Sequence, residues 1–419
     1  MKNLTPRRLD LPSAIKRMAK TARVAAETGV KLASGERFGP LMLRETFESM
    51  GATYIKLGQL IASSPSLFPE AYVTEFQQCL DQTTPVSFEY IEQILTQELG
   101  DIAKHFSFVD PNPLASASIA QVHVAKLLSG EEVVIKVQKP FIETVINTDL
   151  GVLELGVRAA EKIVPKMKHA SLSGIVNEIR RAMILEADFT QEARNITEFQ
   201  QFLDDTGNTR VVVPQVYFEH STRRVLTMTR FHGVAMTDPA KMRAYTDDPA
   251  GVLSITLNTW FESLMQSASF HADLHAGNLM LLNDGRIGFI DFGIVGRIAP
   301  EKIQSAISLF ESINQMDYEQ MAVSMLGMGM TTQKVSTDEL ASDLKVVFES
   351  LVEGKPGASN MDDDLSQILV HVTQAGERHG IKFPRDFALL LKQLLYFDRF
   401  MREIMPDGEM LKAMGLEDF

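Results

Sequence analysis

The sequence predicts an α+β chain of two lobes, a smaller one that contains strands and a larger helical one, behind an N-terminal helical extension. Three observations predict this order. Apolar residues recur at helical spacing up to about Gly100, alternate at strand period across 122–137, and return to helical spacing beyond Asp247. Four segments follow: a basic arm at 1–39, a helical extension at 40–105, the smaller lobe with inserted helices at 106–230, and the helical lobe at 231–419. With 419 residues and 45% apolar content, the chain is able to bury cores of that size.

Taken in order, the arm carries nine Lys or Arg in its first 37 residues against Asp10, Glu27 and Glu36, a local charge of +6 in a chain of formal charge −13. Such an arm suits an anionic membrane surface, or the acidic surface of the protein itself. From 40 to 80, Phe47, Met50, Tyr54, Leu57 and Ile61 fall at helical spacing, and Pro65 and Pro69 then interrupt, so two helices are expected. A third spans 87–100, begun by Ser87 and ended by Gly100. The runs 122–128 and 133–137 read as strands joined by Ser129-Gly130-Glu131-Glu132, a hairpin turn, with 113–120 a loop ahead of them. Helices are expected at 142–162 and 171–202, and a strand pair at 211–218 and 224–230. In the last part, Asn283-Asp284-Gly285 between apolar runs signals another hairpin. Everything from Glu301 reads as helix, apart from a polar loop at 354–364.

Composition excludes several classes. The acidic total argues against a nucleic-acid binder, which needs a dominant basic surface. A lone Cys79 excludes an internal disulfide and a cysteine-built zinc site. No run of about eighteen apolar residues occurs, since even 387–396 is interrupted by Lys392; no transmembrane helix is expected.

The chemistry concentrates in His271-Ala272-Asp273-Leu274-His275-Ala276-Gly277-Asn278, followed thirteen residues after Asn278 by Asp291-Phe292-Gly293. Phosphoryl transfer needs oxygen ligands for Mg²⁺, and Asn278 and Asp291 supply them. Asp273 stands five residues before Asn278, the spacing of kinase catalytic loops, and is the candidate base for an acceptor hydroxyl. A metal site built on His271, Asp273 and His275 is the alternative reading of the same stretch. Upstream, Val133-Val134-Ile135-Lys136-Val137 is a strand presenting one lysine, as in strands that offer Lys to the α and β phosphates. Lys136 needs an acidic partner. Glu186, Asp188 and Glu192 lie on the expected helix after it, with Asp188 and Glu192 four apart on one face, and Glu192 is taken as that partner.

These motifs resemble those of the UbiB/AarF family of atypical, protein-kinase-like kinases, from about residue 40 to 300. Lys56-Leu57-Gly58-Gln59 resembles its Lys-x-Gly-Gln motif, and 115–123 its alanine-rich loop, standing where other kinases place glycines. Glu186-Ala187-Asp188 is similar to its Glu-x-Asp motif. The resemblance implies a bilobal protein-kinase-like fold in which Ala115, Ser116, Ala117, Ser118, Lys136 and Met228 bind nucleotide. It also implies that Lys56 and Gln59 fold over the nucleotide pocket, Lys56 paired with Glu186. Leu274 and Ala276 depart from the family pattern, which often has proline there, as does Thr229, where an acidic residue is common. Ala299-Pro300-Glu301 follows Gly293 after only five residues, too few for a peptide-docking platform. Alanine in place of glycine restricts φ in the phosphate loop, which should alter nucleotide preference or slow transfer.

The implied function is an atypical kinase or ATPase using Mg²⁺ with ATP or ADP in isoprenoid-quinone (ubiquinone) biosynthesis or lipid handling. Its implied partners are an anionic or quinone-precursor lipid, quinone-biosynthesis proteins and a second copy of the chain; its implied location is the cytoplasm, peripheral to the inner membrane. Two alternatives stand beside it. One is a small-molecule kinase of the aminoglycoside or choline type, which His271-x-Asp273, Asn278 and Asp291 also suit. The other is a nucleotide-binding scaffold with little turnover.

Overall fold

The computed structural model describes residues 23–24, 39–62, 70–76, 85–163, 176, 179–180, 183–184, 186–237, 239–331, 335–353 and 365–404. The basic arm other than residues 23, 24 and 39, together with Cys79 and the polar loop at 354–364, lies outside them. The chain divides into two compact units: the residues up to Arg194 with Gln215–Arg230, and Asn195–Pro214 with everything from Phe231.

In the first unit, helices α1 (Pro40–Met50), α2 (Ala52–Ala62) and α3 (Glu70–Phe76) stand where two helices were expected. Gly51 at φ +99° divides the first two, because a left-handed residue cannot continue an α-helix. The helical spacing from Phe47 to Ile61 therefore runs across a break. Ile55, Ile61 and Phe76 close a small core, with the rings of Phe47 and Phe76 edge to face at 5.3 Å. Helix α4 (Phe88–Leu99) begins after Ser87, whose side chain makes no capping hydrogen bond, and ends at Gly100 with φ +82°.

Against α4 lies an antiparallel sheet, β1 (Phe106–Ser116), β2 (Ala120–Leu127), β3 (Glu132–Gln138) and β5 (Val225–Thr229), in the order β1-β2-β3-β5. The β2–β3 hairpin is as expected. Strand β1 is not: its end, 113–116, falls in the stretch expected as loop, and it carries Pro111 and Pro113. Those prolines are tolerated because β1 is the edge strand, and its register shifts twice between Val109 and Ala115. Ile91, Ile94 and Leu95 of α4 pack on Ala125, Leu127, Val133, Ile135, Val137 and Val225.

Between β3 and β5 come α5 (Ile142–Ile163) and α6 (Phe189–Thr206). The single helix expected over 171–202 is interrupted before Phe189; most of 171–185 lies outside the described residues. Asp188 Oδ1 accepts from Thr190 N at 3.0 Å and Thr190 Oγ1 at 2.6 Å, and Phe189 N donates to Arg223 O at 3.0 Å. An aspartate that binds the backbone two residues ahead starts a helix rather than continuing one. Glu186 and Asp188 therefore precede the helix that carries Glu192, and Asp188 shares no helical face with it.

The expected strand pair at 211–218 and 224–230 is also corrected. Val216 and Met228 form a lone bridge, whereas β4 (Val211–Val212) runs parallel to β9 in the second unit. There the sheet order is β4-β9-β8-β6, with β6 (Gly233–Ala235), β8 (Leu279–Leu282) and β9 (Ile287–Phe289). The β8–β9 turn is the expected hairpin, Gly285 at φ +83°. A short pair, β7 (Ser269–His271) with β10 (Val295–Arg297), lies outside the expected elements, because three residues show no period.

The remaining elements are helical apart from one two-residue strand pair: α7 (Pro239–Tyr245), α8 (Pro249–Ser267), α9 (Pro300–Gln315), α10 (Tyr318–Met328), α11 (Thr337–Glu353), α12 (Leu365–Arg378) and α13 (Arg385–Ile404). Trp260 of α8 is fully buried; its ring meets Phe270 at 5.4 Å and Phe397 of α13 at 5.0 Å, and its Nε1 donates to His271 O at 2.8 Å. This contact ties both helices to the strand leading into the motif.

Candidate active site

In the first unit, register decides what surrounds Lys136. It pairs with Val122 on one side and Leu226 on the other, and Val134 pairs with Val124 and Met228. Because side chains alternate, these residues share the face opposite the one packed on α4. Lys136 thus rises from an apolar surface of Val122, Val124, Val134, Leu226 and Met228. Its Nζ donates to both carboxylate oxygens of Glu192 at 2.9 Å, and the Phe189 ring centroid lies 5.5 Å from the nitrogen. Glu192 is 3% exposed and sits in the first turn of α6, where a helix dipole favours a carboxylate.

Lys56 Nζ meets Glu186 Oε1 at 2.5 Å. The side chain of Gln59 lies outside the described residues. Asp188 is occupied by Thr190 and by Arg223 Nε at 3.5 Å, away from the role of a second partner for Lys136. Ala115 and Ser116 end β1, and a turn follows in which Ala117 N donates to Ala120 O at 2.9 Å. Ser118 is buried, and no residue of this loop has a left-handed φ. Ser116 Oγ is buried and meets no hydrogen-bond partner among the described residues. Gln121 and His123, just beyond, serve the fold: Gln121 Oε1 accepts from Val86 N, and His123 Nδ1 donates to Asp110 O at 2.9 Å. A cavity of about 400 Å³ lies farther along the sheet, lined by residues including Phe108, Asp110, Leu114, Val124 and Arg230; it includes neither Lys136 nor Met228.

In the second unit, the motif runs from β7 into β8. His271 is fully buried. Its Nδ1 accepts from Asp273 N at 3.2 Å, so Nε2 carries the proton and faces Ile290 O at 3.3 Å. Both ring nitrogens are engaged, which removes His271 from the alternative metal site. Asn278 Nδ2 donates to Asp273 O at 2.8 Å, and Asn278 O accepts from Ile290 N at 2.9 Å. The hairpin therefore brings Asn278 beside the residue that precedes Asp291.

Asp291 has φ +59°, a left-handed conformation costly for a residue with a Cβ, and its Oδ1 accepts from Gly293 N at 3.2 Å. A Cβ on Gly293 would stand 3.2 Å from that oxygen, so the turn favours glycine. Asn195 Nδ2 anchors Phe292 O at 2.8 Å, and the Phe292 ring packs on Phe199 and His271. Only β10 occupies the stretch between Gly293 and Ala299. With its amide nitrogen bound to the loop, Asn278 presents an oxygen as its remaining polar atom. An amide oxygen and a carboxylate are a donor set that suits Mg²⁺ bound jointly with phosphates.

Three residues that sequence reasoning missed hold this loop, all from α13. Lys392 Nζ donates to Asp273 Oδ1 at 2.6 Å. Gln393 accepts from Leu274 N at 2.8 Å and donates to Leu274 O at 2.7 Å, while Tyr396 Oη accepts from Ala276 N at 2.6 Å. The signal was present as a lysine and a glutamine inside an otherwise apolar run, yet nothing local connects it to a motif 119 residues earlier.

Burial pushes the His271 imidazole down to about 4, against the pull of the Asp273 and Asp291 carboxylates. Its folded value lies below the unfolded one, so its contribution to stability is complete above about pH 6.5 and is lost as pH falls toward about 4. Over that window the wild type should lose about 3 kcal/mol more than His271→Asn, as read by denaturant unfolding at each pH. Equal losses would mean that this histidine does not hold itself neutral.

Residues 78–325 match the family model of the ABC1 atypical kinase-like domain. The chain is 47% identical over 396 residues to an uncharacterized aarF domain-containing protein kinase, chloroplastic, of Arabidopsis thaliana, across 89% of this chain and 73% of that one. It is 33% identical over 422 residues to an uncharacterized protein of Mycobacterium tuberculosis, across 98% and 86%. It is 30% identical over 370 residues to a probable protein kinase UbiB of Pseudomonas fluorescens, across 87% and 68%. Among the described residues no helix is long and apolar enough to cross a membrane.

Proposed function

We infer from one established fact, that this chain belongs to the ABC1 atypical kinase-like family, that it is an atypical kinase or ATPase using Mg-ATP. The observation that carries the reading is the two-pronged Lys136–Glu192 ion pair, with both distances 2.9 Å, rising from an apolar sheet face. In that reading Lys136 takes the charge of the α and β phosphates. The Ser116 hydroxyl and the backbone of 115–118 cover the phosphates, and Met228 and Val134 give the base an apolar wall. Asn278 and Asp291 hold Mg²⁺, which when bound screens phosphate charge and fixes phosphate geometry. Asp273 takes the proton of the attacking hydroxyl or water; the new oxygen–phosphorus bond forms as the bond to the β–γ bridging oxygen breaks, and the nucleotide leaves with that electron pair.

The Lys56–Glu186 ion pair favours this reading over an aminoglycoside- or choline-type kinase, because it secures a motif of the helical extension that such enzymes have no need to keep. The finer role is isoprenoid-quinone biosynthesis or lipid handling at a membrane surface, which the family resemblance and the relatives named UbiB support. The test is Mg-dependent ATP hydrolysis by the purified protein, with and without anionic liposomes. Turnover should rise with liposomes and vanish in Asp291→Asn, which should also bind Mg-nucleotide at least tenfold more weakly. Unchanged nucleotide binding in that variant would refute the metal assignment. Stabilisation by about 2.7 kcal/mol at a hundredfold excess over Kd, with no hydrolysis under any lipid condition, would instead identify a nucleotide-binding scaffold.

A further inference from the structure

We propose that Lys392 is a catalytic residue: a cation placed beside Asp273 to take the charge of the phosphoryl group as it moves. The proposal rests on the reading of Asp273 as the acceptor's base. Helix α13 makes two kinds of contact with the loop. Gln393 and Tyr396 hydrogen-bond to backbone, at Leu274 and Ala276, with the Tyr396 ring edge-on to His275 at 6.1 Å, and these uncharged contacts fix where the loop runs. Lys392 is different, because it reaches past the backbone to the carboxylate of Asp273 at 2.6 Å.

Stability does not explain such a contact. Lys392 is 27% exposed and Asp273 31%, and ion pairs of that exposure contribute between zero and about 1 kcal/mol. Reach does explain it. A base acts within about 3 Å of the acceptor oxygen, which in turn lies about 3–3.5 Å from the phosphorus it attacks. An ammonium bonded to that carboxylate is near enough to reach the non-bridging oxygens of the transferring group. It has three donors, of which Asp273 Oδ1 takes one. The transition state spreads charge over the equatorial oxygens, where a fixed cation has its largest effect.

The experiment compares the full chain with Lys392→Met, Lys392→Arg and Tyr396→Phe. Lys392→Met should lower kcat for ATP about 100-fold, with KM for Mg-ATP within about twofold, and Lys392→Arg should recover at least about a tenth of wild-type kcat. Affinity for Mg-ADP with aluminium fluoride, which imitates the transferring group, should fall by a similar factor while affinity for Mg-ADP alone holds. Tyr396→Phe, a change at a backbone contact, should leave the ratio of those two affinities unchanged. Wild-type kcat and wild-type aluminium fluoride affinity in Lys392→Met would overturn the proposal. So would equal losses for Mg-ADP and its fluoride complex, which would make Lys392 a structural contact. If the wild type binds Mg-nucleotide but turns over below detection, the fluoride comparison alone decides the matter. If it binds no Mg-nucleotide at all, the reading of the site fails first and this proposal with it.

Discussion

Turnover of Mg-ATP by Asp273→Asn is expected to fall by roughly 10²–10⁴-fold, the range for loss of a positioned general base, with nucleotide affinity within about twofold of wild type. The substitution keeps the shape of the side chain. Its backbone continues to donate to His271 Nδ1 and to accept from Asn278 Nδ2, so the loop retains its course. What disappears is a carboxylate able to take a proton, together with the charge that faces Lys392 at 2.6 Å. Steady-state kinetics and nucleotide-dependent thermal shifts on the same preparation separate the two quantities. Equal loss of binding and turnover would show Asp273 to be a structural or metal-holding residue, and unchanged turnover would move the base elsewhere.

Lys136→Met should destabilise the protein by about 3–5 kcal/mol, the cost of breaking a buried ion pair from one side, and should weaken nucleotide binding as well. The size follows from the partner. Glu192 is 3% exposed, so a carboxylate stripped of its two-pronged cation has little water with which to replace it. Loss of the ammonium over the Phe189 ring adds a smaller term of about 0.5–1 kcal/mol. Pairing Lys136→Met with Glu192→Met should restore most of the stability and none of the affinity, because the second change removes the stranded charge but returns no phosphate ligand. Denaturant unfolding and nucleotide titration of both variants would test this. A single variant that unfolds at the wild-type midpoint would mean that the pair contributes nothing to the fold.

Much of this molecule was legible in consecutive residues. The two hairpins, at Ser129-Gly130 and Asn283-Asp284-Gly285, follow from turn chemistry between strand-period runs, and both stand in the structure. The helices at 88–99, 142–163 and 300–315 follow from apolar spacing. The segment 271–293 could be recognised because phosphoryl-transfer chemistry requires particular side chains at particular intervals along one stretch of chain. Residues from separate elements were paired less securely. Glu192 and Asp188 are expected on one helical face, and the structure separates the two because Asp188 binds Thr190 and begins a helix instead of lying on one.

The sequence by itself determined what is encoded over a few residues: periods, turns, helix starts, and the spacing of Asp273, Asn278 and Asp291. Only the tertiary structure decided that β1 forms at the sheet edge despite its prolines, and that β4 joins β9 rather than β5. It also decided that Lys392, Gln393 and Tyr396 close on a loop about 120 residues before them. The reason is physical. A period or a turn reflects backbone preferences that neighbouring residues satisfy among themselves. Contacts between distant segments are selected by how whole faces bury one another, and that selection leaves no regular interval in the chain.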